Sequence, residues 1–369
     1  MESWIVLALI GVTCGVIATI VDVGADWATD LKFGYCNRGF WINRGVCCRD
    51  SSDMMGCPEW NDLSTEPHLA FLMYVGMAVS MATYSAWLTS VFSPYAAGSG
   101  IPEIKVILGG FMIQRFLGFW TLLIKVVGLV LSVGSGICIG KEGPFVHVCM
   151  CVGNLWCRQF GRYRRNEGRC REFLSCAAAA GVGVAFGAPI GGVLFSLEQV
   201  STYFPPKTIW RSFFCAIVAV LTMQRLNRNA GSGKLVLFEV TYHHQWKWFE
   251  LAPFSLLGIL GGLLGAAFIR CHVLLLRLRA RSPWLRDHPV AEAAAGSLVS
   301  AVVNHGSFLL RGSATGLLAA LFAECRDAPA EVRRAMCAEG DYLETVQVLH
   351  LLHLLLLLLL LYLSRPSKA

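Results

Sequence analysis

The chain has 369 residues, 55% of them hydrophobic and 15% charged, with a mean hydropathy of +0.57. Soluble domains run at about 45–50% apolar and about 25% charged, so a single water-soluble core is excluded and a polytopic membrane protein is expected. The net charge of +7 is spread over short loops rather than gathered beside aromatic residues; this argues against a nucleic-acid surface and makes the charge a signal of membrane orientation.

Ser3 to Val21 is an uncharged run of 19 residues, long enough to span a bilayer. Met1-Glu2 ahead of it offers neither a basic region nor a small-residue cleavage site, so an uncleaved helix is expected. A polar stretch from about Asp22 to His68 follows and reads as a solvent-facing loop. Of the 15 cysteines, Cys14, Cys138, Cys149, Cys151, Cys176 and Cys215 lie in apolar segments and read as small packing residues. Cys36, Cys47, Cys48 and Cys57 share the polar loop instead. Disulfides on a lumenal or extracellular face are the preferred reading, over free thiols or a metal site; three pairings remain open, and the spacing matches no standard zinc motif.

Leu69 to about Ser93 is the second span. It leads to Gly98-Ser99-Gly100-Ile101-Pro102, where the glycines free the backbone, Ser99 offers a hydroxyl and Pro102 suits the first turn of a new helix. A helix start of this kind presents unpaired amides and a positive dipole end, which favour an anion where irregular backbone lines a cavity. Phe116 to Ile139 is apolar apart from Lys125, and it leads into Gly140-Lys141-Glu142-Gly143-Pro144. Charge at membrane depth costs at least about 2.5–3.5 kcal/mol, so Glu142 is a candidate for an ion or proton path. Pro144 places it at or just before the start of a helix over about Phe145 to Phe160. His147, one to two turns on, reads as a packed or hydrogen-bonded residue rather than a proton relay.

Between Arg158 and Arg171 six arginines stand against Glu167, which assigns residues 158–171 to the cytosol; a lipid-phosphate site is the functional alternative. Phe173 to Leu197 is rich in alanine and glycine, suited to close helix approach in lipid. Gly187-Ala188-Pro189 should break it in two, with the second helix ending near Glu198-Gln199. A span over about Ser212 to Gln224, a strand-like stretch at Leu235 to Thr241, and a glycine-faced span over Leu251 to Ile269 come next. Arg270 to Asp287 is a second basic cytosolic candidate, and Ala293 to Leu310 is a further span. Glu324 to Glu344 is polar and mixed, and Val346 to Leu363 is a leucine tract whose uniformity specifies packing poorly.

Taken in order, Gly98 to Pro102, Gly140 to Pro144, and Gly187 to Gly192 followed by Leu197-Glu198 resemble the signature of the CLC family of chloride channels and chloride/proton antiporters. The similarity runs from about residue 3 to about residue 325 and is nearest the animal endosomal exchanger branch, through Gly98 to Gly110, Trp120 to Lys125, Gly140 to Val148 and Trp210 to Phe214. The resemblance implies an all-α polytopic broken-helix bundle, here the first inverted repeat plus part of the second, in an endosomal or other vesicular membrane. It also implies a homodimer with one anion path per subunit, with chloride as the transported ion, protons as a second candidate, no cofactor or metal, and no enzymatic activity. Ser99, Gly100, Ile101, Gly143 and Pro144 match the chloride-binding positions. A serine at Ser99 implies preference for chloride over nitrate, and Glu142 matches the gating glutamate.

Two departures stand out. The family's exchangers carry an acidic proton acceptor where this chain has Gln199, and an amide neither takes up nor releases a proton near neutral pH. Proton coupling is therefore expected to be weakened or lost unless the adjacent Glu198 or water substitutes. The family's second half, with its further anion-binding motif, and its cytosolic CBS domains are not recognisable after residue 325. Residues 1–325 are thus expected to form a partial transmembrane domain and residues 326–369 a divergent tail. The alternative function is a truncated, non-conducting form that at most associates with full-length subunits.

Overall fold

A computed structural model describes residues 2–48, 57–64, 66–201, 203–227, 247–306 and 308–311. The strand-like stretch at 235–241 and the tail with its leucine tract lie outside the described residues. The chain divides into two compact units: Met1–Leu237 with Ala293–Gly306 and Arg311–Ser313, and Phe238–Glu292 with Ser307–Leu310 and Ala314–Ala369.

The first unit is a bundle of apolar helices. Its elements are α1 (Glu2–Asp30), β1 (Gly34–Cys36), α2 (Arg44–Cys47), β2 (Trp60–Asp62), α3 (Pro67–Phe92), α4 (Ile101–Leu108), α5 (Phe119–Gly134), α6 (Glu142–Gln159), α7 (Gly161–Arg164), α8 (Glu167–Phe186), α9 (Pro189–Phe195) and α10 (Pro206–Leu226). The helix over Glu2–Asp30, that over Pro67–Phe92 and that over Pro206–Leu226 are each long and apolar enough to cross a membrane. The core sits where α6, α8, α1 and α10 meet, and small residues set the distance. Ala177, Ala178, Ala179 and Ala180 are wholly buried. A side chain on Gly181 would come within 2.8 Å of the Val146 backbone, and one on Gly15 within 2.8 Å of Thr222. In lipid, where apolar side chains gain little by meeting, such backbone approach carries the dispersion energy.

The expected break at Gly187-Ala188-Pro189 is present: α8 ends on Gly187, whose φ of 65° is left-handed, and α9 starts at Pro189. The first helix, in contrast, runs two turns past its expected end at Val21. Asp22, Asp26 and Asp30 follow at helical spacing on one face, and Asp22 pairs with Lys141 at 2.8 Å. Pairing offsets the cost that would otherwise end an apolar span at its first acid.

The described part of the remaining polar loop is held by a short sheet and two disulfides. The strands β1 and β2 pair antiparallel with Cys36 opposite Trp60, and the four cysteines form Cys36–Cys47 and Cys48–Cys57. At the other end of the bundle, Arg162 reaches Glu2 at 3.1 Å and Arg171 reaches Glu167 at 3.5 Å.

Within the second unit, α11 (Leu251–Arg281) belongs to an apolar stretch long enough to span, and α12 is Pro283–Asp287. The expected close-packing face of α11 meets nothing among the described residues: Gly258, Gly261, Gly262 and Gly265 all face open space. The basic end of α11 is tied by Arg279 to Glu292 at 3.3 Å. The helix α13 (Pro289–His305) passes from this unit into the first, and α14 is Phe308–Arg311.

Candidate functional site

The site begins with the turn that follows α3. Gly98 and Gly100 both adopt left-handed backbone, with φ of 72° and 84°, so the chain reverses sharply before Pro102 enters the first turn of α4. Lys125 of α5, 4% exposed, donates from Nζ to the carbonyl of Ala96 at 2.9 Å and to that of Gly98. The reversal is thereby clamped by a cation bonded to carbonyls that no helix satisfies. Gly100 is also sterically required, since a side chain there would come within 2.7 Å of His147 Nδ1. His147 is fully buried, stacks on Phe116 with ring centroids 4.0 Å apart, and bonds the Phe116 carbonyl through Nε2 at 3.1 Å. It is a packed residue, as its lone place on an apolar helix indicated.

The second part of the site is the start of α6. Glu142 is the first residue of that helix, which starts three residues ahead of the expected Phe145 and takes Pro144 into its first turn. Its carboxylate lies at the positive end of the helix dipole, where a negative charge is favoured. Lys141, just before it, is held by Asp22 of α1. Gly143 brings the two parts together: a side chain there would overlap the Ser99 hydroxyl and lie 3.5 Å from Ile101 Cδ1. Ser99 itself is exposed, with Oγ 3.5 Å from the Ile101 amide. The N-termini of α4 and α6, carrying Ser99, Gly100 and Ile101 on one side and Glu142, Gly143 and Pro144 on the other, thus meet at one point. Two converging helix starts present backbone amides and like-signed dipole ends, an arrangement that favours negative charge between them.

The third motif leads into a turn that packs beside α4. After α9 a π-helical turn over Ser196–Val200 carries Glu198 and Gln199, both exposed. Among the described residues, neither makes a hydrogen bond or ion pair with Glu142 or Ser99. Hydroxyls anchor the turn, with Ser175 Oγ 3.1 Å from Ser196 Oγ and 2.6 Å from Ser201 Oγ.

Two supporting residues carry roles that the sequence reading did not assign. Lys125 was visible as the charge interrupting an apolar run, and the same cost argument applied to Glu142 would have marked it. Asp22 gave no such signal, because it follows an uncharged run as a loop residue would.

Comparison with known proteins bears on the whole arrangement. The family model described as "Voltage gated chloride channel" matches residues 78–365, a match that continues past residue 325 into the stretch expected to diverge. The chain is 49% identical over 339 residues to the H(+)/Cl(-) exchange transporter 5 of Oryctolagus cuniculus, covering 88% of this chain and 41% of that protein. For the human protein of the same name the identity is 48% with the same coverage, and for the H(+)/Cl(-) exchange transporter 3 of Pongo abelii it is 46%, covering 88% and 42%. The chain therefore spans less than half the length of these relatives. Its fold is that of a eukaryotic CLC transporter crystal structure, with a TM-score of 0.61 at 23% identity over 82% of this chain and 49% of that one. A cyanobacterial Cl-/H+ antiporter is similar at a TM-score of 0.59, with 23% identity over 82% and 63%. On the family match and the exchanger relatives together, this chain belongs to the voltage-gated chloride channel (CLC) family.

Proposed function

We propose that the chain forms a chloride pathway across a vesicular membrane, with the anion held between Ser99 and the amides of α4 and α6 and with Glu142 as its gate. The observation that supports this reading is the close approach of Gly143 to Ser99, which brings the start of α6, whose first residue is Glu142, beside the start of α4. An ionised Glu142 occupies that point in place of chloride; protonation or displacement by chloride releases it. Assembly is proposed as a homodimer, or as a subunit beside a longer family member.

Gln199 decides between a channel and an exchanger. The turn that carries it has a carboxylate at Glu198 but an amide at 199, so internal proton delivery is impaired and chloride moves with little proton coupling. The test is reversal potential in planar bilayers or proton flux from chloride-loaded liposomes under a pH gradient. Chloride flux with little proton movement is expected for the native chain, and Gln199→Glu should raise the proton movement per chloride. Stoichiometric proton movement in the native chain would overturn the uncoupled reading. Absence of chloride flux would favour the second reading, association without conduction.

A further inference from the structure

Gly181 of α8 lies against Val146 of α6, and Gly153, further along α6, lies against Ala177 and Leu174, which come earlier in α8. The two helices are therefore antiparallel, and residues four apart on either helix share a face. One turn beyond the approach of Gly153 to Leu174, the same register sets Cys157 opposite Cys170. Both thiols are free. They meet at the end of the bundle that carries the arginines of residues 158–171. By its excess of positive charge this end is read as cytosolic, a compartment in which thiols are kept reduced.

The two sulfurs differ in exposure. Cys157 is wholly buried, whereas Cys170 is half-buried; together they line a cavity of about 460 Å³ with Arg158, Arg164 and Glu167. Cys170 also lines a larger neighbouring cavity of about 770 Å³, to which Arg158 and Arg171 contribute. A sulfur that is reachable, surrounded by guanidinium groups and set beside a second thiol has the surroundings of a reactive cysteine. The Cys157 thiol and the guanidinium groups of Arg158 and Arg171 hold the Cys170 thiol below its usual range, against burial and the Glu167 carboxylate. Cys176 of α8, by contrast, is wholly buried and accepts a hydrogen bond from Ser212 at 3.3 Å.

We propose that Cys157 and Cys170 form a peroxide-sensitive dithiol, which hydroperoxides convert to a disulfide joining the end of α6 to the start of α8. The Cys170 thiolate attacks one hydroperoxide oxygen and the O–O bond breaks. Sulfenic acid forms at Cys170, and the departing oxygen takes up a proton to leave as water or an alcohol. The Cys157 sulfur then attacks the Cys170 sulfur, the S–O bond breaks, and the Cys157 proton leaves with the oxygen as water. The two thiols together lose two electrons, which the peroxide gains. A second thiol this close captures the sulfenic acid before it is oxidised further. The bond closes residues 158–169 into a loop and fixes the far end of α6, the helix whose first residue is Glu142.

The test uses the full chain in liposomes, treated with hydrogen peroxide, alkylated after unfolding and mapped by mass spectrometry without reduction. A linked pair of peptides carrying Cys157 and Cys170 is expected, with loss of alkylation at both residues and its return after dithiothreitol. This readout needs no variant. In Cys157→Ser the oxidation should stop at Cys170, whose sulfenic acid then gives several-fold more dimedone adduct than in the native chain. No linked pair in the peroxide-treated native chain, or linkage of Cys170 to a different cysteine, would overturn the proposal. Dimedone labelling of Cys170 that is equal in the native chain and in Cys157→Ser would also overturn it.

Discussion

Three lysines of the first unit are drawn out of water in three ways, and each way fixes what the residue can do. Lys125 bonds two carbonyls and clamps the turn that presents Ser99. Lys141 pairs with Asp22 and holds the residue next to Glu142. Lys32 has a ring face and, among the described residues, no hydrogen-bond partner, and burial lowers its ammonium to about 8 from 10.5, with Asp30 opposing the shift. The sign of the resulting pH dependence follows from proton counting. Between about pH 8 and 10.5 the unfolded chain holds the Lys32 proton and the folded chain does not, so this residue makes stability rise with pH across that window. Thermal unfolding followed across this window should show the rise in the native chain and less of it in Lys32→Met. An equal pH response in both would place the shift elsewhere.

The residues of the proposed anion point were legible in the sequence because glycine and proline frame them. Gly98, Gly100 and Pro102, then Gly140, Gly143 and Pro144, mark chain reversals and helix starts whatever surrounds them. That the two starts meet through Ser99 and Gly143 is a tertiary fact, reached only through the family resemblance. The roles of Asp22 and Lys32 were hidden, since a charge at the edge of an apolar run looks alike whether it is solvated or buried against a residue 119 positions away.

At the scale of elements, the extension of α1 to Asp30 ties the disulfide-linked loop to the start of α6. Removing the acid from the Asp22–Lys141 pair leaves a mostly buried ammonium without its hydrogen-bonded partner, with Asp26 as the nearby acid that remains. Asp22→Leu should therefore cost about 3 kcal/mol of stability, read as a lowered melting temperature in detergent; an unchanged melting temperature would show the pair to be incidental. The cysteine loop gives a second check, because its four thiols allowed three pairings on sequence alone. Peptide mapping without reduction should recover the Cys36–Cys47 and Cys48–Cys57 links. Each closes a loop short enough that its loss should cost about 2–3 kcal/mol in the chain-entropy account. Any other pairing would refute the loop as built. The hydrophobic spans were placed by length and composition, whereas the end of α1 was missed because the pairing that extends it lies far along the chain.

At the scale of the molecule, the fold class read from composition and three broken-helix motifs agrees with the family match and with the solved CLC structures. The chain spans 41% of its rabbit relative, so conduction by this chain is the claim most in need of direct measurement. Chloride efflux from liposomes carrying the full chain, compared at acidic and neutral pH for the native protein and Glu142→Ala, provides it. The account predicts efflux that depends on pH in the native chain and is retained without that dependence in Glu142→Ala. Efflux no greater than that of empty liposomes, or a pH dependence unchanged by the substitution, would contradict it.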